Sequence, residues 1–144
     1  MANTPGKVYR TEIEVRGYEL DSFGHVNHAN YLNYLEFARW QMLGEEGVTL
    51  KKFQEWDRFP VIAAVEIKYL KPTFMGDRLV VETSLREYRR SSMHLEQRIM
   101  KNDQEVAVAK IRSVIVSGEG RPAELPEALA KRWREIVAAG GTDE

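Results

Sequence analysis

The sequence predicts an α+β domain: a five-stranded antiparallel sheet, one long helix and a C-terminal helix. The order of elements comes first. One strand pattern is followed by a helical pattern of about 19 residues, then by four strand patterns in succession, then by a second helix. Next, the four successive strands are separated only by short turn signals, which make hairpins and hence antiparallel neighbours. Lastly, the long helical pattern carries a wide apolar stripe, as a helix laid across a sheet requires.

In residues 7–17, Tyr9, Thr11, Ile13 and Val15 alternate with Arg10, Glu12, Glu14 and Arg16. That period of two is the signature of a half-buried strand. The long helix is predicted over residues 28–46, with Asn27 as N-cap and Gly47 as stop. Tyr31, Leu35, Ala38 and Met42 recur along it every three or four residues, joined by Leu32 and Leu43. Residues 51–56 suggest a short further helical turn. Residues 61–70 follow Pro60 and are nearly continuously apolar up to Glu66 and Lys68, the pattern of a central strand.

Lys71-Pro72 and Met75-Gly76-Asp77 lead into residues 78–90, where Leu79, Val81, Thr83 and Leu85 alternate with charged neighbours. Arg90-Ser91-Ser92 turns into residues 92–100, with Met93, Leu95 and Ile99 on one face. Lys101-Asn102-Asp103 turns into the long strand 105–117. A helix over residues 126–139 begins with Pro126, carries Leu129, Trp133, Ile136 and Val137 on one face, and ends at Gly140-Gly141. A five-stranded sheet of this kind leaves its edges open unless something pairs with them, and self-association is the simplest remedy.

With 144 residues and 43% hydrophobic content the chain can bury one core, so it reads as a single domain over 1–144, with a core at about 7–126. It carries 21 Lys or Arg and 22 Asp or Glu, a formal charge of −1 that does not suit a dedicated nucleic-acid protein. The balance is local, however. Residues 1–67 and 113–144 are net acidic, at −3 and −2, and residues 68–112 carry +4. Such a segment can be a local anion site or plain sheet surface. Cysteine is absent, which excludes disulfides, thiol nucleophiles and Cys-ligated metal centres. No apolar run approaches a membrane span, and the first residues lack the apolar region of a signal peptide. The expected setting is soluble and cytoplasmic, with no membrane insertion.

The densest cluster of reactive side chains lies between the first strand and the long helix: Asp21, Gly24, His25, Asn27, His28 and Asn30. A helix N-terminus presents unpaired N–H groups at a positive dipole end. Those donors can receive the oxygen of a substrate carbonyl as it gains negative charge. Asp21, just before them, can attack that carbonyl or activate a water. The same residues also have a structural reading, since Asp-x-x-Gly is a type I turn signature and Asn27 can simply cap the helix. His25-x-x-His28 with Asp21 raises the question of a metal, but no third-ligand pattern follows and His-Glu-x-x-His is absent, so no metal is expected.

A second cluster is Glu87-Tyr88-Arg89-Arg90-Ser91-Ser92, at a predicted hairpin. Paired guanidinium groups followed by hydroxyls suit phosphate, although a solvated hairpin tip has the same composition. Lys68 and Lys71 could join it if their strand is a neighbour. Glu36, inside the long helix, is a third candidate acid, with Arg39 three residues on as the alternative partner.

Together these residues resemble the hot-dog fold acyl-CoA thioesterases of the 4-hydroxybenzoyl-CoA thioesterase family. The resemblance is carried by residues 16–39, which include Asp21, Gly24, His25, Asn27, Asn30 and Glu36. It continues in Tyr69-Leu-Lys-Pro72, Gly76-Asp77, Tyr88-Arg-Arg-Ser-Ser92 and Ile115-Val-Ser117. It implies a sheet wrapped around the long helix, and a homodimer, or a dimer of such dimers, whose sheets join edge to edge. It also implies an acyl-CoA substrate bound at the dimer interface, and hydrolysis without a cofactor. Within it, Asp21 matches the catalytic carboxylate, and the start of the long helix, with Gly24, His25, Asn27 and Asn30, matches the segment that polarises the thioester carbonyl. Arg89, Arg90 and Ser91 match the segment that meets CoA phosphates, and Lys68 is expected beside them on the strength of its charge. Many relatives carry two apolar residues and an aromatic one between Gly24 and His28. Here His25-Val26-Asn27 stands there, which is closer to the fatty-acyl branch and favours an aliphatic acyl group. Another branch uses a glutamate on the central helix, so Glu36 is a rival to Asp21. Hydrolysis of acyl carrier protein thioesters and non-hydrolytic acyl binding are the alternative functions.

Overall fold

The computed structural model describes residues 3–4 and 6–142, with side chains described over 6–140; Met1, Ala2, Pro5, Asp143 and Glu144 of the expected domain lie outside it. The elements run β1 (Asn3–Thr4), β2 (Val8–Glu14), a 3-10 turn (Gly17–Glu19), α1 (His28–Glu45), α2 (Leu50–Trp56), β3 (Phe59–Tyr69), β4 (Arg78–Arg89), β5 (Ser92–Lys101), β6 (Gln104–Val116), α3 (Glu127–Ala139) and β7 (Gly141–Thr142). Five strands form one antiparallel sheet in the order β2-β4-β5-β6-β3, and β1 pairs with β7 in a two-stranded ribbon that the sequence pattern did not reveal.

Alternation along each strand produces two unlike faces. Tyr9, Thr11 and Ile13 of β2 are buried on the inner face, as are Leu79, Val81 and Leu85 of β4 and Met93, Leu95 and Ile99 of β5. The outer face bears charged ladders such as Arg10–Glu82–Arg98–Glu105. Register shifts at Ile62/Ala64, Leu85/Glu87 and Ile99/Met100 interrupt the ladders, and such bulges bend a sheet. α1 lies on the inner face and buries Tyr31, Tyr34, Leu35, Ala38, Met42 and Leu43. Leu32, expected in that stripe, is exposed instead. α3 adds Leu129, Trp133 and Ile136 to the same core.

The continuous apolar run of β3 does not make it central. β3 is an edge strand, bonded among the described residues to β6 alone, and Val61 and Val65 stay 44% and 40% exposed. An apolar run shows only that a surface avoids water. In one chain this surface is left open on an unpaired edge.

A buried polar set joins α1 to the sheet. Gln97 lies on the inner face of β5, fully buried. It donates to the carbonyl of Leu35 and to Thr83 Oγ1, both at 3.0 Å, and accepts from Arg39 at 2.9 Å. At the far end of α1, Glu46 accepts from Lys7, Tyr9 and Arg132, which ties the helix to β2 and α3.

Candidate active site

Between β2 and α1 the chain forms a closed loop. An antiparallel bridge joins Leu20 to Val26, and Asp21 N donates to His25 O at 2.7 Å. Asp21 Oδ1 accepts the amides of Phe23 at 2.8 Å and His25 at 3.2 Å, and Gly24 N donates to the Asp21 carbonyl. Gly24 has φ +84°, a left-handed conformation that a side chain would oppose. The turn reading of Asp-x-x-Gly is therefore correct as geometry. It also fixes the carboxylate. Oδ1 holds the loop, while Oδ2 accepts no hydrogen bond from any described residue.

Asn27 caps α1 as expected, its side chain accepting from Ala29 N at 2.9 Å. Asn30 N donates to the Asn27 carbonyl. The His28 amide has no acceptor among the described residues, so one donor of the first turn is open. The Tyr69 hydroxyl donates to the His28 carbonyl at 3.0 Å and pins this turn to β3. Asp21, His25, His28, Tyr69 and Lys71 line one broad, open depression of about 290 Å³. The site thus holds a carboxylate oxygen and a helix-start amide, each without a hydrogen-bond partner among the described residues. His25 packs edge-on against Phe74, ring centroids 5.1 Å apart. Among the described residues no group of three His, Asp or Glu side chains is arranged to hold a metal.

The loop has a second anchor that sequence reasoning missed. Glu19 is buried and accepts from Arg16 N, the Arg16 guanidinium and the Tyr34 hydroxyl, while its carbonyl receives Asn27 N. Burial alone would raise its carboxyl, but the hydrogen bonds from Arg16 and Tyr34 outweigh that and hold it below the usual range. Burial and the Glu19 carboxylate in turn push the Tyr34 phenol up. The readable signal was Arg16-x-x-Glu19, an opposite-charge pair. Thr73 is likewise buried, bonding the Tyr31 hydroxyl at 2.7 Å and receiving Val26 N on its carbonyl.

The predicted phosphate cluster lies elsewhere. Arg89 and Arg90 are exposed at the β4–β5 hairpin, Arg89 beside Glu87 and Arg90 bonded to Glu124 at 3.2 Å. The Ser91 carbonyl receives Ile115 N. Across the sheet Ser92 pairs with Val114, and Val114 with Val61, so this hairpin sits level with the start of β3. Lys68 is near the other end of β3 and exposed, and β3 and β4 are not neighbours. Within one chain, then, Lys68 and Lys71 do not join Arg89 and Arg90. Val61 and Tyr69 are eight residues apart, about 26 Å of extended strand. Glu36 is exposed on α1 and adds a favourable charge to Arg39, whose own guanidinium is shifted down by burial.

A family description, the thioesterase-like superfamily, matches residues 15–133. The chain belongs to that superfamily. Its family places it among the thioester hydrolases, at a coarser level than the 4-hydroxybenzoyl-CoA branch expected from the motifs. The chain is 34% identical over 88 residues, 61% of its length, to the long-chain acyl-CoA thioesterase FadM of Escherichia coli, covering 66% of it. It is 30% identical over 134 residues to a 1,4-dihydroxy-2-naphthoyl-CoA hydrolase of Synechococcus elongatus, covering 90% of this chain and 97% of the relative. It spans about two thirds of the length of two chloroplast acyl-acyl carrier protein thioesterases of Arabidopsis thaliana. Among solved structures, a Thermus thermophilus thioesterase complexed with coenzyme A and zinc superposes with a TM-score of 0.75 at 33% identity, over 90% of this chain and 94% of that one. The sheet, the long helix and the C-terminal helix are the hot-dog architecture of these thioesterases.

Proposed function

We propose that the protein is an acyl-CoA thioesterase of the fatty-acyl branch, working as a homodimer in the cytoplasm. In this reading the thioester carbonyl oxygen lies against the first turn of α1, where the His28 amide is open. Asp21 either draws a proton from water as that water attacks the carbonyl carbon, or attacks the carbon itself to give an anhydride that water then opens. Both routes break the carbon–sulfur bond, consume one water and release a free acid and the CoA thiol. Asp21 is preferred to Glu36 because Asp21 shares its depression with the helix start, and Glu36 does not.

The observation that carries the dimer is the open β3 edge. A symmetric pair of edge strands is antiparallel, because a two-fold axis reverses the second copy. Pairing β3 about its midpoint, Ala64, sets Tyr69 opposite Phe59 of the partner subunit. The Asp21 loop of one copy then stands at the Arg89–Arg90 end of the other. The separation across three strand spacings falls to about 14 Å. Arg89, Arg90 and Ser91 of one subunit, with Lys68 of the other, would meet the phosphates of a CoA whose thioester lies at Asp21.

The test is a panel of acyl-CoA thioesters followed by free-thiol release. Hydrolysis inhibited by free CoA supports this reading. Hydrolysis of acyl carrier protein thioesters alone, indifferent to CoA, replaces it, and binding without turnover removes it.

A further inference from the structure

Tyr69 takes no part in either route of hydrolysis above, yet its hydroxyl reaches the start of α1 and donates to the His28 carbonyl at 3.0 Å. The helix itself does not need that bond. The His28 carbonyl already receives the amide of Leu32, four residues on, as a carbonyl in the first turn of a helix does. Tyr69 occupies its second lone pair. Tyr69 is also 46% exposed, so water can serve its hydroxyl nearly as well, and the bond adds little to folding. The contact fills no orphan group and carries little stability.

Its surroundings give it a different use. The Asn27 side chain receives the Ala29 amide and the Asn27 carbonyl receives the Asn30 amide, both at 2.9 Å. Those two bonds lie within the turn and move with it. Among the described residues, Tyr69 alone ties the backbone of residues 28–31 to the sheet. The anchor is firm at its own end. Tyr69 pairs with Ala107 across the β3–β6 ladder, and the Leu70 and Lys71 amides both donate to the Val106 carbonyl, at 2.8 and 3.2 Å. The Tyr69 ring meets Tyr31 and His28 edge-on, with centroids 5.3 and 6.5 Å away, which limits where the hydroxyl can point. The carbonyl that it holds and the amide open to the depression belong to one residue, so fixing the first restrains the second.

We infer that Tyr69 is a positioning residue: by holding the His28 carbonyl it keeps the His28 amide aimed at the thioester oxygen as negative charge develops there. The inference rests on the thioesterase reading and adds a residue to its machinery. A donor of this kind is sensitive to small displacements, since a misplacement of about 1 Å can cost 10²-fold in rate. Removing the hydroxyl loosens the turn and leaves the donor in place, so the loss should be smaller, roughly tenfold, the scale of one net hydrogen bond. It should fall on kcat, because the amide bonds most strongly in the transition state.

The experiment compares Tyr69→Phe, which removes one oxygen and keeps the ring, with the wild type on the best acyl-CoA of the panel. kcat should fall roughly tenfold while KM changes less than about twofold. A fluoroketone analogue of that acyl-CoA, which mimics the tetrahedral intermediate, should bind more weakly by the factor that kcat/KM falls. Inhibition by free CoA, the urea midpoint and sedimentation should match the wild type. Hydrogen exchange gives a readout independent of turnover: the Ala29 and Leu32 amides should exchange several-fold faster in the variant, with β4 and β5 unaffected. Unchanged kcat, or unchanged exchange in the first turn of α1, would overturn the assignment. Equal weakening of free CoA and the fluoroketone, together with a lowered urea midpoint, would also overturn it and show a structural role instead. If the wild type hydrolyses thioesters and Tyr69→Phe equals it, the thioesterase reading stands without this residue. A wild type that hydrolyses no thioester overturns that reading and the inference with it.

Discussion

Glu46→Gln tests how the C-terminal end of α1 is held. The Glu46 side chain is only 7% exposed, and its carboxylate accepts from Arg132 Nε at 2.6 Å and Nη2 at 3.2 Å, from the Tyr9 hydroxyl at 2.7 Å and from Lys7 at 3.0 Å. The Arg132 hydrogen bonds, helped by those from Tyr9 and Lys7 and opposed by burial, bring its carboxyl down to about 2. Burial and the Glu46 hydrogen bond push Tyr9 up. Against an unfolded value of 4.5, this is worth about 3 kcal/mol at pH 7. A carboxyl lowered on folding contributes its full stability above the unfolded value and loses it as pH falls toward the folded one. The contribution should therefore be complete at pH 7, less than half as large at pH 3, and nearly gone at pH 2. In urea, with a slope of about 2 kcal/mol per M, Glu46→Gln should lower the midpoint by about 1.5 M at pH 7. The gap between variant and wild type should shrink as pH drops through 4 to 3. A midpoint unchanged at pH 7, or a gap that stays constant down to pH 3, would refute the electrostatic role of this carboxylate.

Two further outcomes follow from other parts of the molecule. Gln97→Leu leaves the half-buried Arg39 without its acceptor and Thr83 without its donor, so it should cost about 2–4 kcal/mol in denaturant unfolding. A loss under about 0.5 kcal/mol would show that the polar set does not hold α1 to the sheet. Arg89→Ala with Arg90→Ala should raise KM for acyl-CoA by about tenfold or more, the scale of losing charged hydrogen bonds, and leave KM for a short acyl-pantetheine nearly unchanged. An equal rise for both substrates would remove the phosphate contact.

The fold was legible because its periods were clean. Alternation in residues 7–17, the Tyr31–Leu35–Ala38–Met42 stripe and the turns at Gly76-Asp77, Ser91 and Asn102 each correspond to an observed element. β3 misled because its apolar residues serve a surface that one chain leaves open, and composition does not distinguish a strand buried within a sheet from one on an unpaired edge. The ribbon of β1 and β7 has only two residues on each side, too few to carry a period. The Asp21 loop was readable because its residues are adjacent in sequence. Glu46 was not, since its partners Lys7, Tyr9 and Arg132 are distant in the chain. Gln97 could have been found, because it stands in step with Met93, Leu95 and Ile99 on the buried face of its strand.

The proposed hydrolysis depends on the Asp21 carboxylate beside the open amide at the start of α1. It is tested most directly by kcat of Asp21→Asn on the best acyl-CoA of the panel, with sedimentation reporting assembly. The substitution keeps Oδ1 as an acceptor for the Phe23 and His25 amides, so the loop should persist while the base or nucleophile is lost. kcat should fall roughly 100-fold or more, the scale of losing a general base, in a protein that assembles as the wild type does. Turnover that matches the wild type would contradict it.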